Sequence, residues 1–153
     1  MPTTVAIALG SNLGDRRAHL DYSASRLGST LSHIRVSSYF ETDPVDVPGQ
    51  QPRFVNAAVT GEATLSAREL LDALLTIERE RGRERPVLGA ARTLDLDLVL
   101  FGDQILNEPG LVVPHPRFRD RRFVLEPLAQ IAPDMVDPVT EKTVGELLKL
   151  LNR

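Results

Sequence analysis

At 153 residues, with 42% hydrophobic and 25% charged side chains, the chain fits one compact domain around a single core. A formal charge of −3 speaks against a nucleic-acid or anionic-lipid partner, and the lack of cysteine excludes disulfides, thiolate metal sites and a cysteine nucleophile. The first apolar run, Val5 to Leu9, is too short to cross a bilayer and has no basic segment ahead of it, so a cytoplasmic chain is expected.

In chain order, Thr4 to Leu9 is predicted as a buried strand ending at Gly10-Ser11-Asn12, and Asp15 caps a helix from Arg16 to about Leu27. Ile34 to Phe40 reads as a second strand. Residues 42–52 hold Pro44, Pro48, Gly49 and Pro52, too many breakers for anything but a loop. Phe54 to Thr60 forms a third strand, whose alternation puts Val55, Ala57 and Val59 on one face and Phe54, Asn56 and Ala58 on the other. Ser66 with Glu69 is a capping box opening a helix to about Arg81, with Leu70, Leu74 and Ile77 on its buried stripe and Gly82 ending it. Residues 83–91 are aperiodic and read as a second long loop. Thr93 to Phe101 is the clearest strand, followed by a turn at Gly102-Asp103 and a short strand at Gln104 to Leu106. Residues 107–122 read as mostly irregular, and Phe123 to Ile131 and Thr143 to Leu151 as helices. Strands and helices mix without strict βαβ alternation, which predicts an α+β sandwich with an antiparallel or mixed sheet.

The chemistry concentrates in Arg92-Thr-Leu-Asp-Leu-Asp-Leu-Val-Leu-Phe101. On a strand, Asp95 and Asp97 share one face about 7 Å apart, and Leu94, Leu96, Leu98 and Leu100 take the other. Paired carboxylates on a partly buried face repel each other, and a cation removes that cost. Oxygen ligands on a rigid strand suit Mg²⁺, which keeps waters and completes its shell with phosphates. Every basic residue except Lys142 and Lys149 is arginine, with five arginines in 79–92 and four in 117–122. Forked cations gathered this way suit a small polyphosphate ligand. Solvated aspartates and surface ion pairs are the plainer alternative for each feature alone. Gly10 to Arg16 joins a strand to a helix but lacks a P-loop ending, so it reads first as a structural turn. Asn56 flanked by Phe54 offers an amide edge beside a stacking ring, the pair a flat heterocycle needs. His115, between two prolines, either bonds a phosphate or nucleotide hydroxyl or fixes its loop; His19 and His33 read as surface residues.

Taken together, Ala8-Leu-Gly-Ser-Asn-Leu-Gly14, Tyr39 through Pro44, Phe54-Val-Asn-Ala-Ala58, Ile77-Glu78 with Gly82-Arg83, Arg92-Thr-Leu-Asp-Leu-Asp-Leu98 and Val113-Pro-His115 with Arg121 and Phe123 to Leu128 resemble the 6-hydroxymethyl-7,8-dihydropterin pyrophosphokinase family of folate biosynthesis. The resemblance runs through nearly the whole chain. It implies a ferredoxin-like core and transfer of the β,γ-diphosphate of ATP to the pterin hydroxymethyl, with release of AMP. It implies that Asp95 and Asp97 hold two Mg²⁺ ions and that Arg83, Arg92, His115 and Arg121 hold phosphates. Glu78 and Leu98 would support the nucleotide. Phe54 and Phe123 would stack on the pterin, Thr42 and Asn56 would bond its edge, and Pro44 and Val45 would line it. A monomer acting on these small molecules is expected. The family's usual Arg-Trp-Gly-Pro before Arg92 is replaced here by Pro86-Val-Leu-Gly-Ala-Ala91, so the tryptophan that closes over the pterin has no counterpart. Two rival readings are another Mg²⁺-dependent nucleotide transferase releasing ADP or pyrophosphate, and a weakly catalytic binding module; product analysis separates them.

Overall fold

The computed structural model describes residues 2–42, 53–82 and 93–152. Its main sheet contains β1 (Thr3–Ser11), β2 (Ser32–Val36), β3 (Phe40–Thr42), β4 (Phe54–Ala63) and β5 (Asp95–Phe101). The order is β2-β4-β1-β5, with β3 also on β4, and every pairing is antiparallel. Helix α1 (Arg16–Thr30) links β1 to β2, and α2 (Ala67–Glu80) links β4 to β5. This is the ferredoxin-like arrangement, with β1 and β4 central. A hairpin of β6 (Leu106–Glu108) and β7 (Leu111–Val113), a 3₁₀ turn (Phe118–Asp120), α3 (Arg122–Ile131) and α4 (Val144–Leu151) follow.

The sheet has two unlike faces. Val5, Ile7, Leu9, Val55, Ala57 and Val59 pack against α1 through Leu20 and Leu27, and against α2 through Leu70, Leu74 and Ile77. Each fully buried leucine there stabilises the fold by about 1.5–3 kcal/mol. The opposite face is built of Ala6, Ala8 and Ala58, and meets Val124, Leu125 and Leu128 of α3 and, beyond them, Val144 and Leu147 of α4. Small side chains on that face let α3 approach closely.

The helix starts are where local chemistry puts them. Asp15 accepts from Ala18 N–H at 3.1 Å, and the Ser66/Glu69 box closes in both directions. Thr143 and Glu146 do the same for α4. Gly82, at φ +78°, ends α2 in a left-handed conformation that a side chain would disfavour.

Four expectations need correction. Ile34 to Phe40 is not one strand, because Ser37 interrupts it: its hydroxyl accepts from Ala58 N–H at 2.8 Å, replacing a carbonyl in the ladder. The short strand expected at Gln104 to Leu106 is displaced to Leu106–Glu108. It pairs with Leu111–Val113 across Pro109 and Gly110, the latter at φ +75°, so 107–122 is more regular than its breakers suggest. Finally, β5 does not alternate to its end. Ile7 faces Leu98 and Ala6 faces Leu100, so Val99 is a bulge that turns Leu100 onto the α3 face.

Candidate active site

The register brings the candidate residues into rows. Gly10 lies opposite Asn56 on β4 and opposite Asp95 on β5, and Asn56 lies opposite Phe40 on β3. The next row runs Ala58, Ala8, Asp97. Because side chains two apart share a face, Phe54, Asn56, Gly10, Asp95 and Asp97 all stand on the α3 side, at the end of β1 that feeds α1. Both aspartates are half-buried, as the sequence predicts for a shared face.

On the β4 side of this row, Asn56 is 4% exposed and its Nδ2 donates to Thr42 Oγ1 at 2.6 Å. A Cβ at Gly10 would meet Asn56 Oδ1 at 3.1 Å and Phe54 Cδ1 at 3.8 Å. Glycine thus lets the amide lie flat over β1, and the floor between Asn56 and Asp95 stays shallow. Arg16 fixes the rim of this region by donating to the Arg53 carbonyl at 2.7 Å and to Glu41 at 3.0 Å, which ties the start of α1 to β3 and to the entry of β4.

Opposite stands the entrance to α3. The guanidinium of Arg121 lies 5.5 Å from the ring centroid of Phe123. His115 is anchored by its N–H on the carbonyl of the bulged Val99, at 3.0 Å. Burial pushes its imidazole below the ordinary histidine range; Asp97 opposes that, and Arg121 and Arg117 add to it. The balance favours the neutral form of the ring. Its Nδ1 accepts from Arg117 N–H at 3.2 Å, so the proton sits on Nε2, leaving a neutral donor beside Asp97.

Glu78 is 2% exposed and reaches β5 from the last turn of α2, where its Oε2 accepts from Leu96 N–H at 2.7 Å. It thereby grips the strand between the two aspartates. Leu98 buries its side chain in the core under α1 and α2, facing away from Asp95 and Asp97, so it meets a ligand on the site face through its main chain alone. Arg83, Arg92, Pro44 and Val45, and the altered stretch 86–91, lie outside the described residues. A cavity of about 410 Å³ opens at the far end of the same sheet face, beside Arg35, Thr60, Glu62 and Met135; it contains none of the candidate residues and no carboxylate pair on one strand.

The sequence reading missed Gly10, taken there as part of a structural turn. The signal was present in the alternation Ala6-x-Ala8-x-Gly10, a series of small residues on one strand face. It also missed the Val99 anchor for His115, which depends on a bulge that no motif announces.

The geometry of Asn56 leads to a binding prediction. Asn56→Ala should weaken binding of a flat heterocycle at this row by roughly 1–3 kcal/mol, the cost of a buried polar edge left unpaired. Nucleotide binding should change far less. Calorimetric titration of each ligand separately checks this; equal weakening of both would place the heterocycle elsewhere.

A model of the 7,8-dihydro-6-hydroxymethylpterin-pyrophosphokinase family matches residues 6–133. The chain belongs to that family. It is thereby a transferase of the pyrophosphokinase class. Among its relatives is a 2-amino-4-hydroxy-6-hydroxymethyldihydropteridine pyrophosphokinase of Pseudomonas aeruginosa, 45% identical over 134 residues that span 86% of this chain and 82% of the relative. The enzyme of the same name from Bacillus subtilis is 44% identical over 127 residues, spanning 82% of this chain and 75% of that one. The fold matches the wild-type HPPK-DHPS of Plasmodium falciparum with a TM-score of 0.74 at 14% identity, over 98% of this chain but 45% of the larger one. These findings bear out the family read from the sequence, and the ferredoxin-like α+β fold with it.

Proposed function

We propose that the pyrophosphokinase reaction takes place at the row formed by Asn56, Gly10 and Asp95. As a member of its family, the chain transfers the β,γ-diphosphate of ATP to the hydroxymethyl group of 6-hydroxymethyl-7,8-dihydropterin, a step of folate biosynthesis. The substrate oxygen bonds to Pβ, the bond from Pβ to the α,β-bridging oxygen breaks, AMP leaves with that oxygen, and the hydroxyl proton is lost to water. The observation that carries the site assignment is the register itself, which sets a half-buried carboxylate pair and a buried amide on the two sides of one glycine.

In this reading Asn56 and Thr42 bond the pterin edge, with Phe54 and Phe123 against its faces and Pro44 and Val45 beside it. Arg121 and the Nε2–H of His115 take phosphate oxygens, together with Arg83 and Arg92. Glu78 serves the nucleotide side through its hold on β5. Asp95 and Asp97 would hold two Mg²⁺ ions. The donor set suits that metal: two half-buried carboxylates on one strand face offer hard oxygen ligands, and water and phosphate oxygens would complete the shell. Bound Mg²⁺ supplies neutralisation of the phosphate charge. The residues otherwise act by alignment and fixed electrostatics, which is what diphosphoryl transfer requires, and none is assigned as a general base.

We infer further that the chain works as one domain, as a monomer and in the cytoplasm, where ATP is supplied. No helix among the described residues is long and apolar enough to cross a membrane. Product analysis is the deciding experiment. AMP and pterin diphosphate formed in equal amounts support the reading; ADP replaces it with monophosphoryl transfer, and ligand binding without turnover replaces it with a binding module.

A further inference from the structure

We propose that Arg119 and Asp137 form a positioning clamp that sets His115 and Arg121 against the aspartate pair. The proposal rests on the reading above, in which those two residues take phosphate oxygens.

Asp137 lies beyond the stretch the family model matches and is 0% exposed. Its carboxylate receives four hydrogen bonds. Arg119 donates from Nε to Oδ2 at 2.5 Å and from Nη2 to Oδ1 at 3.0 Å. Val139 N–H donates to Oδ1 at 3.0 Å, and Thr140 Oγ1 to Oδ2 at 2.7 Å. A buried carboxylate met this fully is well accommodated, and the two-pronged guanidinium contact fixes direction as well as distance.

The Asp137 side of the clamp is rigid without Arg119. Asp137 N–H donates to the Lys142 carbonyl at 2.9 Å, and Glu141 N–H returns to the Asp137 carbonyl at 2.8 Å. The arginine side is not. Arg119 belongs to a three-residue 3₁₀ turn, the kind of element whose hydrogen bonds are too poor in geometry to hold position alone. Besides the clamp, that turn is held by the His115 bond to Val99, by Phe118, fully buried in the second core, and by the Arg121 carbonyl, which accepts from Val124 and Leu125 N–H at 3.0 Å each where α3 begins. His115 and Arg121 flank the turn on either side. Arg119 touches neither substrate's proposed place; it acts through the backbone it steadies.

The test compares Asp137→Asn with Arg121→Ala and with wild type, measuring KM for ATP, KM for the pterin, kcat and thermal midpoint. Asp137→Asn keeps the size of the side chain and removes the charge and one acceptor facing Arg119. The clamp predicts a rise of roughly tenfold or more in the KM for ATP, the scale of effect expected when charged groups are misplaced by a fraction of an ångström. The KM for the pterin should rise much less, because of its proposed contacts only Phe123 lies beside Arg121, whereas Asn56, Thr42 and Phe54 stand on the sheet. A purely structural pair would lower the midpoint and leave both KM values alone, and that result overturns the proposal. Arg119→Lys, which keeps the charge and loses the fork, should fall between. If Asp137→Asn does not fold, the double variant Arg119→Met/Asp137→Leu removes both charges together and keeps the apolar volume. A raised KM for ATP in the folded double variant supports the clamp, and a normal one overturns it. If Arg121→Ala itself leaves the KM for ATP unchanged, the phosphate-side reading fails, separately from the clamp.

Discussion

Asp97→Ala should lower turnover by roughly 10²–10³-fold, the usual loss when a fixed group stabilising transition-state charge is removed. Asp97 sits half-buried on the same strand face as Asp95, opposite Ala8 of β1. Deleting one of two neighbouring carboxylates relieves repulsion, so the fold should persist with an unchanged circular dichroism spectrum. The measurement is kcat at saturating substrates across a Mg²⁺ titration. The loss should shrink as the ion is raised, since the remaining carboxylate still offers oxygen ligands. Near-normal turnover at ordinary Mg²⁺ would sink the assignment of this strand to the metal. Asp95→Ala is the parallel case, one row closer to Asn56.

Gly10→Val should reduce pterin binding by roughly tenfold to a hundredfold, the scale of the ~1–3 kcal/mol that extra methyl groups cost in a packed site. Even a methyl group at this position comes within 3.1 Å of Asn56 Oδ1, and the branches of valine extend from there over the floor between Asn56 and Asp95. Gly10→Ala should be milder, since Asn56 has only a few tenths of an ångström to yield. Both should fold, because the core under α1 and α2 is untouched. Fluorescence titration of the pterin, with ATP binding measured in parallel, reads the effect. Normal pterin affinity in Gly10→Val would move the pterin off this floor.

Local signals in the sequence carry much of this. Capping residues such as Asp15, Ser66 and Thr143 act over three residues and were legible as such. So was the shared face of Asp95 and Asp97, since strand alternation is a property of the backbone alone. The misreadings all arise where a distant partner decides. Ser37 breaks a strand because its hydroxyl accepts the Ala58 N–H, and Leu100 changes face because β1 and β5 fall out of register at Val99. For Glu78 and Leu98, expected on the nucleotide side, the fold adds what the sequence does not show: the first bonds the main chain of β5 and the second keeps its side chain in the core, relations that appear once α2 and β5 are docked. The Arg119–Asp137 pair spans 18 positions with no motif to join them, and only packing brings it together.

β5 is the outermost strand of its sheet, and an outer strand with free N–H and C=O groups is a template for pairing with another chain. Two of those groups are already taken: the Leu96 N–H by Glu78, and the Val99 carbonyl by the His115 N–H. The contacts that seat the aspartates and the histidine therefore also blunt this edge against self-association. Protection of the sheet edge and the geometry of the proposed site thus rest on the same few bonds.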